Sequence, residues 1–225
     1  GALRNGAPFK GLPASFKRLR SVLMKREGGD REMADILALV LHPDASDEFV
    51  LSPPRDEPHD IARLWQNKKQ NRLSKLRKQY IGYVLQQGGL LPYLTVRENI
   101  ELPRRLMKLP TDDSASSLAR VMGIHRQLDK LPGFLSAGER QRAAFTRALA
   151  HRPAILLADE PTASLDPITA RKIMAVVMEL VKGLNITMII ASHDWPEVYK
   201  MDLRVLHQEA EMAEAGSVYQ STFRD

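Results

Sequence analysis

Three carboxylates follow an apolar run in the middle of the chain. Residues 155–158 are apolar, Asp159 and Glu160 come directly after them, and Asp166 lies six residues further on. A buried strand seldom ends on two adjacent carboxylates unless a cation or a polarised water is close by. At such a strand end, Asp159 can reach a magnesium ion directly or through water, and Glu160 can polarise an attacking water. Taken alone, an acidic strand end is more often a helix cap or a surface turn.

A second polar group stands just ahead of a predicted helix. The segment Leu135-Ser-Ala-Gly-Glu139 places Ser136 and Gly138 where the amide hydrogens and the positive end of a helix would face an anion such as a terminal phosphate. Taken alone, Ser-x-Gly-Glu is a common capping pattern. The segment therefore indicates anion binding only in combination with other signals.

Two more polar residues follow apolar runs of strand length. His193 follows the run 186–191 and would suit contact with a phosphate or ordering of a water. Gln86 follows the run 80–85 and precedes a glycine-containing stretch that predicts a mobile loop. A histidine after a strand is usually only a satisfied loop residue, so each signal is weak by itself.

The elements that would position these residues alternate between strands and helices. Strands are predicted over 80–85, 154–158 and 186–191, and helices over 33–41, 60–79, 140–151 and 168–182. This alternation predicts a mostly parallel sheet, in which ligands lie beyond the carboxyl ends of the strands.

The stretch 95–130 predicts helical segments instead of strands. We expect breaks in it at Pro103, Pro110 and Gly123. It would form an inserted helical subdomain, at about residues 90–140, within a single domain over 1–225. Residues 52–58 carry three prolines and predict a loop.

Composition narrows the class of protein. A chain of 225 residues with 44% hydrophobic content is long enough for one large α/β domain. Its longest apolar runs are too short to span a bilayer, and cysteine is absent, which excludes disulfides and thiolate metal sites.

The net charge of +6 is confined to the first third of the chain. Residues 1–80 carry 16 Lys and Arg against 10 Asp and Glu, and the remaining residues carry 17 of each. A nucleic-acid or anionic-membrane face is one interpretation. A solvated helix face is favoured, because aromatic residues are not interleaved with these charges.

The order and spacing of these residues closely resemble the ATP-binding-cassette (ABC) ATPases, over about residues 80–205. The residues that carry the resemblance are Gln86, 135–139, 156–160, 164–166 and His193. The family implies a P-loop NTPase-like nucleotide-binding domain with ATP and Mg²⁺ as cofactors. The segment 86–103 looks most like the branch that handles lipoproteins, macrolides and cell-division signalling.

The resemblance also implies a role for each residue. Glu160 would be the general base and His193 the switch histidine, the two catalytic residues. Asp159, with Gln86 of the Q-loop, would hold the metal ion. The nucleotide would be contacted by Gln86, by Asp166 of the D-loop, and by Ser136, Gly138 and Glu139 of the signature motif. Ala137 stands where the family usually has glycine, and it would carry strain if that position required a positive φ.

One part of the family's pattern is missing from the sequence. The phosphate-gripping loop Gly-x-x-x-x-Gly-Lys-[Ser/Thr] occurs nowhere, and counting back from His42 places its equivalent at residues 25–33. There Asp30 takes the lysine position and Arg31 the hydroxyl position; a slip of one residue would bring Arg31 to the lysine position instead.

Replacing the lysine ammonium by a carboxylate weakens the grip on phosphate. It removes a charge-assisted hydrogen bond of ~1.5–3 kcal/mol and adds repulsion of roughly 1–4 kcal/mol. Together these amount to about two to five powers of ten in nucleotide affinity. The sequence therefore predicts that this chain's own site binds ATP poorly, and whether the chain hydrolyses ATP stays open.

The resemblance implies partners as well. In the family, two nucleotide-binding domains sandwich ATP, and each gives its signature motif to the other's site. The chain would be a subunit of a membrane transport or mechanotransmission complex, peripheral at the cytoplasmic face of the cell membrane. It would bind a membrane-spanning permease subunit and a second nucleotide-binding domain, as a homodimer or a heterodimer.

Two alternatives differ in class. A pseudo-ATPase scaffold would dock on a membrane subunit without a nucleotide cycle. A soluble nucleic-acid ATPase would account for the basic first third, but such relatives carry two cassettes or long coiled-coil insertions, which 225 residues do not accommodate. We therefore expect no nucleic-acid partner.

Overall fold

The protein is represented by a computed structural model that describes most of the chain. It describes residues 21–25, 34–35, 37–40, 49–53, 56–110, 112–192, 204–212 and 219–224. For the strands at 21–25, 204–212 and 219–224 only the backbone is considered. Residues 26–33, which contain Asp30 and Arg31, and His193 lie outside the described residues, so the interpretations that rest on them stay predictions.

The main sheet has six strands in the order β4-β5-β6-β1-β7-β8. Its strands are β1 (Ser21–Lys25), β4 (Ile81–Val84), β5 (Ile155–Asp159), β6 (Thr187–Ser192), β7 (Arg204–Met212) and β8 (Tyr219–Arg224). The first four pairings are parallel and the β7–β8 pairing is antiparallel. Two short strands, β2 (Val50–Leu51) and β3 (His59–Asp60), form a separate antiparallel pair. The predicted strands are present within one or two residues, and the predicted mostly parallel sheet is confirmed.

The central strands are apolar on both faces because helices cover both sides of the sheet. Leu156 and Ala158 of β5 belong to one hydrophobic cluster, whereas Leu157 between them belongs to another. In β6, Ile190 joins the first cluster and Ile189 the second. Successive side chains of a strand point to opposite faces, so this alternation separates two cores by one layer of sheet.

Six α-helices lie among the described residues. They are α1 (Ile61–Gln66), α2 (Gln70–Tyr80), α3 (Val96–Leu106), α4 (Ser114–Val121), α5 (Ala137–Leu149) and α6 (Pro167–Leu184). Short 3₁₀ turns lie at His125–Gln127 and Pro132–Phe134. Residues 34, 35 and 37 are helical, within the predicted helix 33–41.

The single helix predicted over 60–79 is two helices. Asp60 caps α1 by accepting a hydrogen bond from the Arg63 amide, and α1 ends after one and a half turns. Lys68 then adopts a φ of 53°, in the left-handed region, which reverses the chain before α2. The break buries both Trp65 of α1 and Leu73 of α2 in the same cluster. Packing, which composition does not reveal, therefore divides the charged segment.

The predicted break at Pro103 is wrong, because α3 continues through that residue. A proline inside a helix costs about 3 kcal/mol. Contacts on the buried side of α3 offset this cost: Ile100 is in the core, and Arg104 donates to the Ala150 and Pro110 carbonyls. Arg104 also pairs with Asp112 at 2.8 Å. Tertiary contacts of the next residue thus hold the helix past its proline.

Helices α3 and α4 pack against α5 and share its core. Their buried residues, including Val96 and Ala119, belong to the same cluster as Phe145 of α5 and Leu156 of β5. Within the part of the chain that the structure describes, every helix falls short of the length and apolarity that crossing a bilayer requires.

Candidate functional site

The carboxyl ends of the parallel strands meet at one edge of the sheet. Val84 of β4 lies opposite Ala158 of β5, and Asp159 lies opposite Ala191 of β6. Ser192 of β6 in turn lies opposite Lys25 of β1. The segments that follow these strands therefore leave the sheet side by side. Gln86 and the acidic pair follow strand ends on this edge, and in the sequence His193 comes directly after β6.

Asp159 and Glu160 are both buried at this edge. Asp159 is 4% exposed and Glu160 is 1% exposed. The Glu160 amide donates to the Ala191 carbonyl at 2.8 Å, which extends the β5–β6 pairing one residue beyond β5. Two adjacent carboxylates buried at the end of a strand are costly to desolvate, so their position favours a cation or a hydrogen-bonding ligand at the edge.

Glu160 has a backbone conformation that L-residues rarely adopt. Its φ is 45°, in the left-handed region, and it is neither glycine nor asparagine. Such a residue carries roughly 1–3 kcal/mol of strain and persists where the surroundings fix it. Here the turn is closed by the Ala163 amide, which donates to the Glu160 carbonyl at 3.3 Å. Strain of this kind concentrates at functional sites, and it is not visible in the residue types alone.

Ser192, at the end of β6, faces the Glu160 carboxylate. The Ser192 hydroxyl donates to Glu160 Oε2 at 3.5 Å, a long hydrogen bond, and both residues are buried. Sequence reasoning missed Ser192, although its position just before His193 at a strand end was a usable signal. Ser192 is a residue of β6 whose side chain contacts the acidic pair.

Gln86 lies two residues after β4, in an exposed turn. The turn is closed by the Gly88 amide, which donates to the Leu85 carbonyl at 2.8 Å. The loop that follows, for which the sequence predicts mobility, is hydrogen-bonded to α3. Asn99 of α3, fully buried, donates to the Leu91 and Leu94 carbonyls and accepts from the Leu91 amide.

A capping box forms the start of α5. The Ser136 hydroxyl accepts from the Glu139 amide, and the Glu139 carboxylate accepts from the Ser136 amide at 2.8 Å and hydroxyl at 2.9 Å. These bonds, the backbone one first, lower the pKa of Glu139 below its ordinary value. Gln127 donates to the other carboxylate oxygen at 2.9 Å. Ser136 remains exposed at the end of the helix.

Gly138 brings the starts of α5 and α6 into contact. A Cβ atom at Gly138 would lie 3.0 Å from Thr169 Cγ2, closer than nearly all Cβ contacts. Asp166 caps α6, and its carboxylate accepts from the Ile168 and Thr169 amides at 3.1 and 3.0 Å. Hydrogen bonding from Thr169 lowers the pKa of Asp166. The predicted signature and D-loop residues thus form one group at the starts of α5 and α6, the helix-end group, in which Ser136 and Asp166 are exposed.

Ala137 is the first residue of α5, and its φ is not positive. The strain that a positive φ would have caused is therefore absent. Alanine replaces the usual glycine at no backbone cost.

Two large apolar side chains lie exposed beside this helix-end group. Phe134 precedes Ser136 by two residues and is 75% exposed, and Ile168 follows Asp166 by two residues and is 62% exposed. Sequence reasoning missed both. A signal was available for Ile168, which lies in the first turn of a predicted helix between proline and threonine.

The acidic pair fits a magnesium ion, which prefers carboxylate oxygens and one or two protein ligands beside phosphate and water. Among the described residues, no cluster of three or more His, Asp or Glu side chains forms a site made by the protein alone. A metal ion at the strand ends would therefore be held by Asp159 together with a nucleotide's phosphates.

The motifs and the geometry agree with known proteins. A family model described as ABC transporter matches residues 55–163. The lipoprotein-releasing system ATP-binding protein LolD of Nitrobacter hamburgensis is 33% identical over 189 residues, covering 83% of this chain and 77% of that protein. LolD 1 of Rhodospirillum rubrum is 38% identical over 149 residues, covering 65% of this chain and 66% of that protein.

A solved structure shows the same fold. The ATP-binding cassette MJ0796, a dimer in a post-hydrolysis state bound to ADP and Pi, is 28% identical with a TM-score of 0.68. The match covers 90% of this chain and 84% of that one. The fold is therefore that of a P-loop NTPase-like nucleotide-binding domain. The chain belongs to the ABC transporter family, as an ATP-binding subunit similar to LolD, which confirms the family predicted from the motifs.

Proposed function

We propose that this chain is the ATP-binding subunit of a membrane transport or mechanotransmission complex, with an impaired phosphate loop of its own. Through Ser136 and Gly138 it would complete the ATP site of a second nucleotide-binding domain. The names of the relatives place them in lipoprotein-releasing systems. The complex proposed here would contain a permease subunit and would work at the cytoplasmic face of the membrane.

The observation that carries the proposal is the exposed helix-end group. Ser136 and Asp166 lie at the surface, where they would meet a partner domain. Phe134 and Ile168 expose apolar surface next to them, and apolar side chains concentrate in the buried centres of interfaces. The MJ0796 cassette, whose fold matches, is dimeric. These residues are therefore positioned for association with a second domain.

The same group suits a phosphate supplied by the partner. The positive end of the α5 dipole points outward there, and anions bind favourably at helix N-termini. The Ser136 hydroxyl already donates to Glu139, so it would exchange that bond for a phosphate oxygen when a nucleotide arrives. Gly138 keeps the surface close to Thr169 and free of a side chain.

The strand-end group would handle nucleotide bound by this chain itself. Asp159 would hold the magnesium ion, which neutralises phosphate charge when it is bound with ATP. Glu160 would accept a proton from the attacking water, with Ser192 orienting its carboxylate. Gln86 and His193 would contact the metal and the phosphate. The residues for catalysis are thus present, and Asp30 would be the element that weakens nucleotide binding.

Reconstitution from two different cassettes and the membrane subunit tests the proposal. A partner cassette with an intact phosphate loop is paired with this chain. ATP hydrolysis is then measured for two variants: Ser136→Ala in this chain, and the corresponding serine-to-alanine change in the partner's signature motif. We expect the first change to abolish most hydrolysis and the second to have a small effect. Native complexes that contain two copies of this chain and no other cassette would contradict the heterodimer.

The scaffold alternative makes a different prediction. If the chain only docks on a membrane subunit, Glu160→Gln and His193→Ala have no effect on the complex in the cell. The strained, buried Glu160 argues against a scaffold, since docking alone does not need roughly 1–3 kcal/mol of backbone strain at a carboxylate. Loss of function from either change would reject the scaffold.

A further inference from the structure

The loop after Gln86 is held from α5 by one side chain. Arg147, near the carboxyl end of α5, donates from Nη1 to the Gly89 carbonyl at 2.7 Å. Its Nη2 donates to the Gly88 carbonyl at 3.0 Å. The guanidinium therefore binds two successive carbonyls just beyond the glutamine.

The loop has a backbone shape suited to this grip. Gly88 and Gly89 have φ angles of 75° and 59°, in the region where glycine is favoured. A Cβ atom at Gly89 would lie 2.7 Å from Leu85 Cδ1, and one at Gly88 would lie 3.3 Å from Ala144 Cβ of α5. Both glycines are thus needed to turn the two carbonyls toward α5 at close range.

The chemistry of the contact requires arginine. The planar guanidinium presents two parallel donors, whereas a lysine ammonium is a single point charge. Burial lowers the pKa of Arg147. Among the residues that the structure describes, no carboxylate forms an ion pair with it. A partly buried cation that binds only neutral carbonyls is a poor source of stability but a precise positioning device.

The contact joins two regions that sequence reasoning treated separately. Helix α5 starts at the signature residues and carries Arg147 near its other end, and β4 runs directly into the Gln86 turn. Gly82 of β4 allows α5 to pack on the strand without a side chain between them. The other end of the loop is anchored to α3 by Asn99. Arg147 is therefore the link between the Gln86 loop and the helix of the signature motif.

We infer that Arg147 is a positioning residue that makes the Gln86 loop and α5 move as one unit. Its consequence for the reaction rests on the proposed function: a shift of the loop would change the presentation of Ser136 to the partner's nucleotide. Arg147 touches neither nucleotide nor metal in this role. It acts through the two glycine carbonyls.

Amide hydrogen exchange on the folded chain tests the link directly. We expect Arg147→Gln to speed exchange at Gly88 and Leu91 by about tenfold or more, because the Gly88 amide is hydrogen-bonded to the Leu85 carbonyl and the Leu91 amide to Asn99 of α3, and both bonds depend on the shape of the loop. Arg147→Lys, which can bind one carbonyl, should give a smaller increase. The matched control is Arg142→Gln on the same helix, which removes one bond to the Met122 carbonyl and should leave loop exchange unchanged.

Two outcomes of this measurement would overturn the inference. One is unchanged loop exchange in Arg147→Gln, and the other is an equal increase in Arg142→Gln. If Arg147→Gln does not fold, loop exchange is compared between Arg147→Lys and Arg142→Gln. An increase in Arg147→Lys alone would support the inference, and no increase or an equal increase in both would overturn it.

Steady-state hydrolysis by the assembled complex tests the consequence. We expect Arg147→Gln to lower kcat by about tenfold with KM for ATP within about twofold, and Arg147→Lys to restore part of kcat. Faster loop exchange with unchanged kcat would overturn the role in the reaction. A wild-type complex that does not hydrolyse ATP would reject the proposed function instead, and the exchange result would still decide the mechanical link.

Discussion

The strand ends and the helix ends of this protein differ in what surrounds their polar side chains. Asp159 and Glu160 are almost fully buried, and Glu160 is held in a strained conformation. Ser136 and Asp166 are exposed, and each already caps its own helix. The buried pair can act only on a ligand that enters the sheet edge of this chain. The exposed pair is held by its own capping bonds and faces outward, which leaves it accessible to another domain.

Because of this difference, the helix-end residues could keep their geometry even if the strand-end site bound nucleotide weakly. The two groups are built on different elements, the sheet edge and the starts of α5 and α6. Under the proposed function, a change at Asp30 would affect nucleotide held at the sheet edge and would leave the geometry of the helix ends intact. The following changes test the two groups separately.

The largest expected effect is on nucleotide affinity at the sheet edge. Restoring a cation with Asp30→Lys should raise Mg-ATP affinity by about two to five powers of ten, because a charge-assisted bond replaces a repulsion. Isothermal titration calorimetry on the chain measures this. The control is Asp113→Lys, the same charge change at an exposed position whose side chain makes no capping bond. Micromolar affinity in the wild-type chain would show that its phosphate loop is not impaired.

The next effect is on the pH dependence of stability. His151 is buried beyond α5, and burial lowers its pKa to about 4, against 6.5 for an unperturbed histidine. The unfolded chain therefore binds more protons between these values, and stability falls by roughly 3 kcal/mol as pH drops from about 6.5 to about 4. Glu139 and Asp166 also have lowered pKa values, but as carboxylates they stabilise the fold while they are ionised. Their contribution to stability is therefore lost only in stronger acid.

Urea unfolding at pH 7.5, 6, 5 and 4 checks this dependence. His151→Leu should remove most of the loss above pH 4. The exposed His125→Leu should leave it in place. Equal pH dependence in the wild type and His151→Leu would contradict the assignment.

A smaller effect is expected where the helix ends touch. Gly138→Ala places a methyl group against Thr169 and should cost about 1–3 kcal/mol, with lower hydrolysis by the assembled pair. Thr169→Ser removes the opposing methyl group, so the double variant should recover stability and activity. Thermal unfolding and hydrolysis assays measure both. No recovery in the double variant would show that the contact is not the cause.

The smallest effect compares two matching capping boxes. Ser136 with Glu139 starts α5, and Thr95 with Glu98 starts α3 in the same way. Replacing either cap by alanine should cost about 1 kcal/mol of stability. Only Ser136→Ala should also reduce hydrolysis at the partner's site, because the proposed function gives Thr95 no contact with the partner's nucleotide. Equal loss of activity in both variants would show that Ser136 acts only as a structural helix cap.

Much of the site could be predicted because its residues sit at ends of apolar runs. Asp159 follows a strand and Ser136 precedes a helix, and both are where the pattern of the sequence placed them. Predictions failed where a contact distant in sequence decides the outcome. The helix continues through Pro103 because Arg104 reaches the Ala150 carbonyl, and the segment 60–79 divides because Trp65 and Leu73 pack in the same cluster.

The order of motifs by itself determined the family and the parallel arrangement of the strands, since each depends on residue type and local spacing. Only the tertiary structure decided which polar side chains are buried and which face outward, that Glu160 is strained, and that Gly138 seats α5 against α6. Burial and close packing arise from pairs of residues far apart in the chain. Their consequences therefore become visible only when the sheet and the helices are assembled.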